Sequence, residues 1–279
     1  MKGDQSIFVF FMIWISMAVV LDAKQTLLFE MCLQKQRYDA ILETAVDDAA
    51  SCLLDNDRGS YPKLHKEEAL EVLLNSLYAG FDISENQQAQ EELRGYIPLV
   101  MVMDYDGLYV WKNVEERWSE KFPYSYECTY GNAQNKKAGI QFTMGEALYF
   151  MTGKKEVPIL EARKDIYEKN PDLWAFERKE SFEEIRNEVI INTMMKKMTQ
   201  HMNASNRIGK RYGIQYACAV PYIEEELFER TVGDISIFMV FQGYPYGNQI
   251  TQRYYRVEAA GARVRKTIEK RGNENAAFN

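Results

Sequence analysis

The sequence has almost no histidine. His65 and His201 are the only two in 279 residues, and neither stands in a metal-binding or triad spacing. A histidine-dependent nucleophile, a two-histidine metal site or a proton relay therefore has too few members to be built. The four cysteines, Cys32, Cys52, Cys128 and Cys218, lie far apart and offer none of the short pairs used by zinc knuckles or redox dithiols. An even number permits three disulfide pairings, and burial of small apolar thiols explains the count as well. No GxGxxG, GxSxG or HExxH segment occurs. Thr152, Gly153, Lys154 and Lys155 suggest a phosphate loop but lack its first glycine and the hydroxyl residue after the lysine. Positive charge is in deficit, with 34 Lys and Arg against 41 Asp and Glu and a net charge of −7. General nucleic-acid binding is thereby disfavoured, because phosphate neutralisation needs a basic surplus. No metal, cofactor or catalytic residue is expected.

Helix breakers are missing in one place above all. There is no glycine between Gly3 and Gly59 and no proline before Pro62, so this stretch can be one helix. Residues 7–21, IFVFFMIWISMAVVL, have Ser16 as their only polar member, and Ala23, Leu27, Leu28 and Phe29 continue the run more loosely. A bilayer core of about 30 Å needs roughly 20 helical residues, so residues 1–28 are expected to be a signal anchor that meets lipid through residues 7–28. Signal cleavage needs small residues two apart; Leu21 before Ala23 is a poor pair, and Ser16 before Ala18 lies inside the apolar run. Lys2 is offset by Asp4 ahead of the run, whereas Lys24, Lys35 and Arg37 follow it. That count does not favour export, but a very short tail before an apolar segment does. The expectation is a single-pass membrane protein with an extracytoplasmic head.

Beyond the anchor, Tyr38, Ile41, Leu42, Ala45, Val46, Ala49, Cys52 and Leu53 recur at helical spacing, with Asp39, Glu43, Asp47 and Asp48 opposite them. Residues 29–57 are therefore predicted to continue the anchor as an amphipathic helix. Turn chemistry at Asp55, Asn56, Asp57, Arg58, Gly59 and Ser60 ends it. A membrane helix running without interruption into an amphipathic helix under an α/β head resembles the layout of type IV pilins and TadE-like pilin relatives. The resemblance covers about the first 55 residues. The prepilin glutamate, five residues after a glycine, is replaced by Phe8 after Gly3. What the resemblance implies is self-assembly or protein partners, with the helix packing laterally in a membrane or filament.

Residues 58–271 are expected to form a globular α+β head with an antiparallel sheet, and residues 272–279 a frayed tail. Leu70, Leu73, Leu74 and Leu77, followed by Gly80, predict a helix over residues 66–78, and residues 85–93 suggest another. Strands are predicted at 97–104 and 108–111 around an Asp-Gly turn, and at 124–130, 139–144, 214–222 and 235–242. Ser181 and Glu184 suggest a capping box opening a helix that runs to Gly209, with Met194, Met198 and Met202 as a core stripe. After Gln252 seven basic residues stand against Glu258 and Glu269, most simply a solvated face.

Candidate sites are few. Asp104, Asp106 and Glu115 fit positions 1, 3 and 12 of a calcium loop, but Tyr109 takes the place of the required glycine, so the turn reading is preferred. Paired acids at Glu183 and Glu184, and at 224–226, lack any catalytic geometry. His65 and His201 sit in polar surroundings and are expected at the surface. Tyr244 and Tyr246, in the segment GYPYG, place two amphipathic rings on a turn suited to recognising a ligand or partner. The expected function is a non-enzymatic, membrane-anchored structural or assembly protein. The alternative is an extracytoplasmic sensor, because two helices followed by strand, Asp-Gly turn and strand resemble the start of PAS-like modules.

Overall fold

The computed structural model describes residues 2–54, 63–113, 115–130, 136–151, 159–173, 176–211, 234–246 and 254–264. It is an α+β fold dominated by its first helix, α1 (Lys2–Ser51). At 1.5 Å per residue, these 50 residues extend about 75 Å. The predicted stripe faces inward over the second half: Leu42, Ala45, Val46, Ala49 and Leu53 are buried, joined by Ala50, whereas Glu43, Asp47 and Asp48 are exposed.

The second helix, α2 (Lys66–Gly80), returns antiparallel to α1. Ser76 donates a hydrogen bond to Asp48, and the His65 amide donates to the Leu53 carbonyl at 2.9 Å. Gly80 is not the cap that its position suggests but the last helical residue. A Cβ there would lie 2.5 Å from the Ile41 side chain, so glycine lets the two helices close together. The left-handed residue that ends the helix is Asp82 (φ 59°), and the Ile83 amide turns back to the Tyr78 carbonyl. Next comes α3 (Gln87–Gly95), capped by the Asn86 side chain, which accepts from the Ala89 amide.

Among the described residues the sheet has nine strands, β1 (Leu99–Asp104), β2 (Gly107–Lys112), β3 (Arg117–Trp118), β4 (Phe122–Tyr130), β5 (Lys136–Phe142), β6 (Ala147–Met151), β7 (Ile159–Ala162), β8 (Ser236–Tyr246) and β9 (Tyr254–Arg263). Their spatial order is β7-β6-β5-β4-β2-β1-β8-β9, with β3 on β2, and the strand pairs are antiparallel. The β2–β4 joint is short, pairing Gly107 with Pro123 and Leu108 with Phe122. Pro123 has no amide to extend it, and a Cβ at Gly107 would meet the Phe122 carbonyl at 2.7 Å. The sheet therefore curls at this joint.

Helices cover both faces. On one side α1 and α2 pack on Val100, Val102, Ile237, Met239 and Phe241. On the other, α4 (Arg163–Lys169) and α5 (Lys179–Arg211) pack on Leu99, Met101, Met103, Phe238 and Val240. This double covering explains why β1 and β8 read as continuous apolar runs rather than alternating ones. Met194, Met198 and Met202 are fully buried, as their spacing predicts.

Several boundaries differ from expectation. Helix α5 begins before Ser181, so that residue is not its cap. Strands β3, β6, β7 and β9 and helix α4 were not predicted, and β9 turns part of the supposed solvated basic face into an edge strand with Ala260 and Ala262 buried. The predicted strand at 214–222 lies outside the described residues. Cys32, Cys52 and Cys128 are free thiols and none is fully buried; Cys218 lies outside the described residues.

Candidate functional site

The first half of α1 is the largest feature that the head does not use. Phe10, Phe11, Met12, Ile13, Trp14, Ile15, Met17, Val19, Val20 and Leu21 are each about half exposed or more, and Leu28, Phe29 and Leu33 extend the surface. These positions circle the helix, so no polar face remains to meet water. The helix is long and apolar enough to cross a membrane. Ser16, the one hydroxyl in the run, donates to the Met12 carbonyl within the helix, which removes the cost of carrying it unpaired into an apolar medium.

Within the head, the β1–β2 turn gathers charge. Asp104 pairs with Gly107, leaving Tyr105 and Asp106 as the two turn residues, so Gly107 opens β2 rather than occupying the centre of the turn. Lys121 Nζ lies 2.5 Å from carboxylate oxygens of both Asp104 and Asp106 and 5.6 Å from the centre of the Tyr109 ring. Burial alone would lower the pKa of this ammonium, but hydrogen bonds and charge from the two aspartates outweigh it and hold the pKa above its ordinary value. Tyr124 beneath is fully buried and donates to the Asp104 carbonyl at 3.2 Å. Its phenol is pushed well above the ordinary range by burial and by the same two carboxylates. Glu115, the third member of the calcium pattern, binds Lys112 and Arg117 instead. The two aspartates thus hold a lysine where the calcium reading would have a cation. Among the described residues no group of three or more His, Cys, Asp and Glu side chains could hold a metal.

Two buried arginines were not singled out from the sequence. Arg163, 5% exposed, donates from Nη1 to the Phe176 and Glu177 carbonyls at 2.5 and 3.0 Å and lies over the Phe182 ring. It fastens α4 to the segment entering α5. Arg186, 8% exposed, reaches the Gly145 carbonyl and the Asn187 side chain, and its pKa is lowered by burial. Each reaches a backbone carbonyl of another segment, Arg163 those of Phe176 and Glu177 and Arg186 that of Gly145, the pattern of structural clamps.

The histidines divide. His65 is the residue before α2 and pairs with Glu68 at 3.5 Å. His201 is not the surface residue expected. It is half-buried against Phe122, with ring centres 6.2 Å apart, and burial followed by Lys112 and Lys197 lowers its pKa below 6.5. Phe122 came with no helical signal, since it belongs to a strand 79 positions earlier in the chain by count of the numbering.

Residues 243–246 of the GYPYG segment are a strand end rather than a turn, and Gly247 lies outside the described residues. β8 runs through Tyr244 and Tyr246, with an irregularity between Gln242 and Pro245, and pairs Pro245 with Tyr255 and Tyr246 with Tyr254. Its backbone therefore continues several residues beyond the predicted strand. Thr152, Gly153, Lys154, Lys155 and the acids at 224–226 lie outside the described residues. A cleft of about 310 Å³ on α3 and the loop that precedes it is lined by Ser84, Glu85, Gln87, Gln90, Glu91 and Arg94 and is open and polar, unlike the apolar enclosure typical of small-molecule sites. Comparison of the chain with protein-family models, curated proteins and solved structures finds no match.

Proposed function

We propose that this protein is a single-pass, membrane-anchored, non-enzymatic structural or assembly component whose head is displayed outside the cytoplasm. The supporting observation is the change of environment along α1: residues 10–21 expose apolar side chains on every side, and residues 42–53 are embedded in the head. A continuous helix sharing two environments couples the head's position rigidly to the bilayer, which suits display or lateral assembly. The pilin-like layout supports the same reading as an architectural likeness.

The test is fractionation of cells making the full chain, with a carbonate wash and protease shaving of intact cells. Retention in the washed membrane with loss of the head on shaving supports the proposal. Release by carbonate would refute the anchor, and a head protected until the cells are opened would refute the orientation.

A further inference from the structure

We propose that the chain makes a second contact with the bilayer, through the far ends of β8 and β9 carrying Tyr244, Tyr246, Tyr254 and Tyr255. This rests on the reading of α1 as a membrane span and adds a surface of the head to it.

The direction of β8 relative to α1 is fixed at two levels. At the C-terminal end of α1, the His65 amide binds the Leu53 carbonyl, and the neighbouring Lys66 sits 5.0 Å from the Tyr109 ring. Tyr109 pairs with Val102, which pairs with Ile237 of β8. Ile237 is thus level with the end of α1 farthest from the anchor. At the other end of α2, Gly80 abuts Ile41, and Phe81 packs between Tyr38 of α1, tilted against it, and Phe241 of β8, stacked on it, with ring centres 5.2 and 5.9 Å apart. Phe241 is thus level with Tyr38. Going from Ile237 to Phe241 is therefore travel toward the membrane end of α1, and β8 does not stop there.

Five more residues bring β8 to Tyr246, and β9 starts back from Tyr254 opposite it. At about 3.3 Å per strand residue this is roughly 16 Å of further travel, somewhat less with the irregularity at Gln242 and Pro245. The same distance along a helix covers about ten residues. Counting back from Tyr38, the strand ends come level with Leu28, where the expected span ends. Helix α2 has already turned away at Gly80. Burial along α1 agrees: Leu27, Met31 and Gln34, on one side, are partly covered, whereas Leu28, Phe29 and Leu33 remain about half exposed or more.

The composition of this end names its occupant. Within the described strand ends, residues 244–246 and 254–256 hold four tyrosines and Arg256 and no Asp or Glu, in a chain whose net charge is −7. Tyrosine is enriched where hydrocarbon meets headgroups, because its ring is apolar and its hydroxyl is not. Arginine suits phosphate oxygens. The contact is therefore with the phospholipid headgroup layer of the bilayer that α1 crosses, and it would restrain the head from swinging about its helix.

The test places a photoreactive benzoylphenylalanine singly at Tyr246, Tyr254, Val19 or Tyr105 of the full chain. Each variant is reconstituted in vesicles of three parts phosphatidylcholine to one part phosphatidylglycerol and irradiated, and lipid adducts are counted by mass spectrometry. Tyr105, exposed in the β1–β2 turn beyond the level of Ile237, reports the side away from the bilayer. Adduct yields at 246 or 254 at least fivefold above Tyr105 support the proposal. Adducts at Val19 with 246 and 254 both at the Tyr105 level overturn it and leave the anchor standing, and crosslinks from 246 and 254 to protein instead of lipid overturn it in favour of a protein partner. Absence of adducts at Val19 removes the anchor and this inference together.

Discussion

The two halves of α1 are one uninterrupted helix with opposite needs. Residues 10–21 include Phe, Trp, Ile and Met on every side and have no neighbour from the head, whereas residues 42–53 confine small and apolar side chains to one stripe and bury them. Ala45 and Ala49 are fully covered, and small side chains at that stripe let α1 lie close to its neighbours. The difference teaches that the environment selects the pattern: an apolar medium on all sides tolerates a uniform surface, while a protein neighbour on one side demands periodicity and size matching.

Substitutions that exchange these needs should separate the halves. Ala49→Asp puts a carboxylate into the buried apolar cluster that α1 forms with Leu73 and Leu77 of α2. Destabilisation of at least about 3–5 kcal/mol is expected, seen as loss of the cooperative melt of the head; an unchanged melt would break the packing account. Val19→Asp should leave the melt alone but cost about 3 kcal/mol of membrane insertion, read as a larger carbonate-extractable fraction. A shifted melt with normal retention would reverse the assignment. Gly80→Ala falls between the halves, at the junction where Ile41 is 2.5 Å from the added Cβ. Ile41 can yield in part, so a loss of about 1–3 kcal/mol is expected in denaturant unfolding.

The smallest effect concerns pH and belongs to the head alone. His201 is held below its unfolded value of 6.5 by burial and by Lys112 and Lys197. The unfolded chain therefore takes up this proton first as pH falls. The stabilisation is present above about pH 6.5 and is lost as pH drops through the folded-state value. His201→Phe should flatten the fall in stability on going from neutral to mildly acidic pH while leaving retention in the membrane unchanged. An identical pH profile would show that Phe122 and its surroundings do not govern this titration.

Legibility from sequence follows the same division. The anchor, the amphipathic stripe, α2, the methionine face of α5 and strands β1, β2, β4, β5 and β8 were readable because each carries its own period or apolar run. β9 was hard to read because Arg256, Glu258 and Arg263 break up any apolar run in its sequence. β6 and β7 are short and meet mainly each other and β5, so their residues give no strong alternation. Lys121 meets Asp104 and Asp106 only because β4 turns back across β2, a contact that no local window contains. The same holds for His201 against Phe122 and for Arg163 against the Phe176 carbonyl. Tyr244 and Tyr246 were noticed for their composition, but the end of the molecule on which they stand depends on Phe81 linking β8 to α1.

The most direct measurement is amide hydrogen exchange on the full chain in vesicles as guanidinium is raised through the unfolding of the head. Residues 42–51 should lose protection together with β1 and β8, while residues 10–28 keep theirs because lipid rather than the head secures their hydrogen bonds. Loss of protection in both halves at the same guanidinium concentration would contradict the division of α1 between two environments.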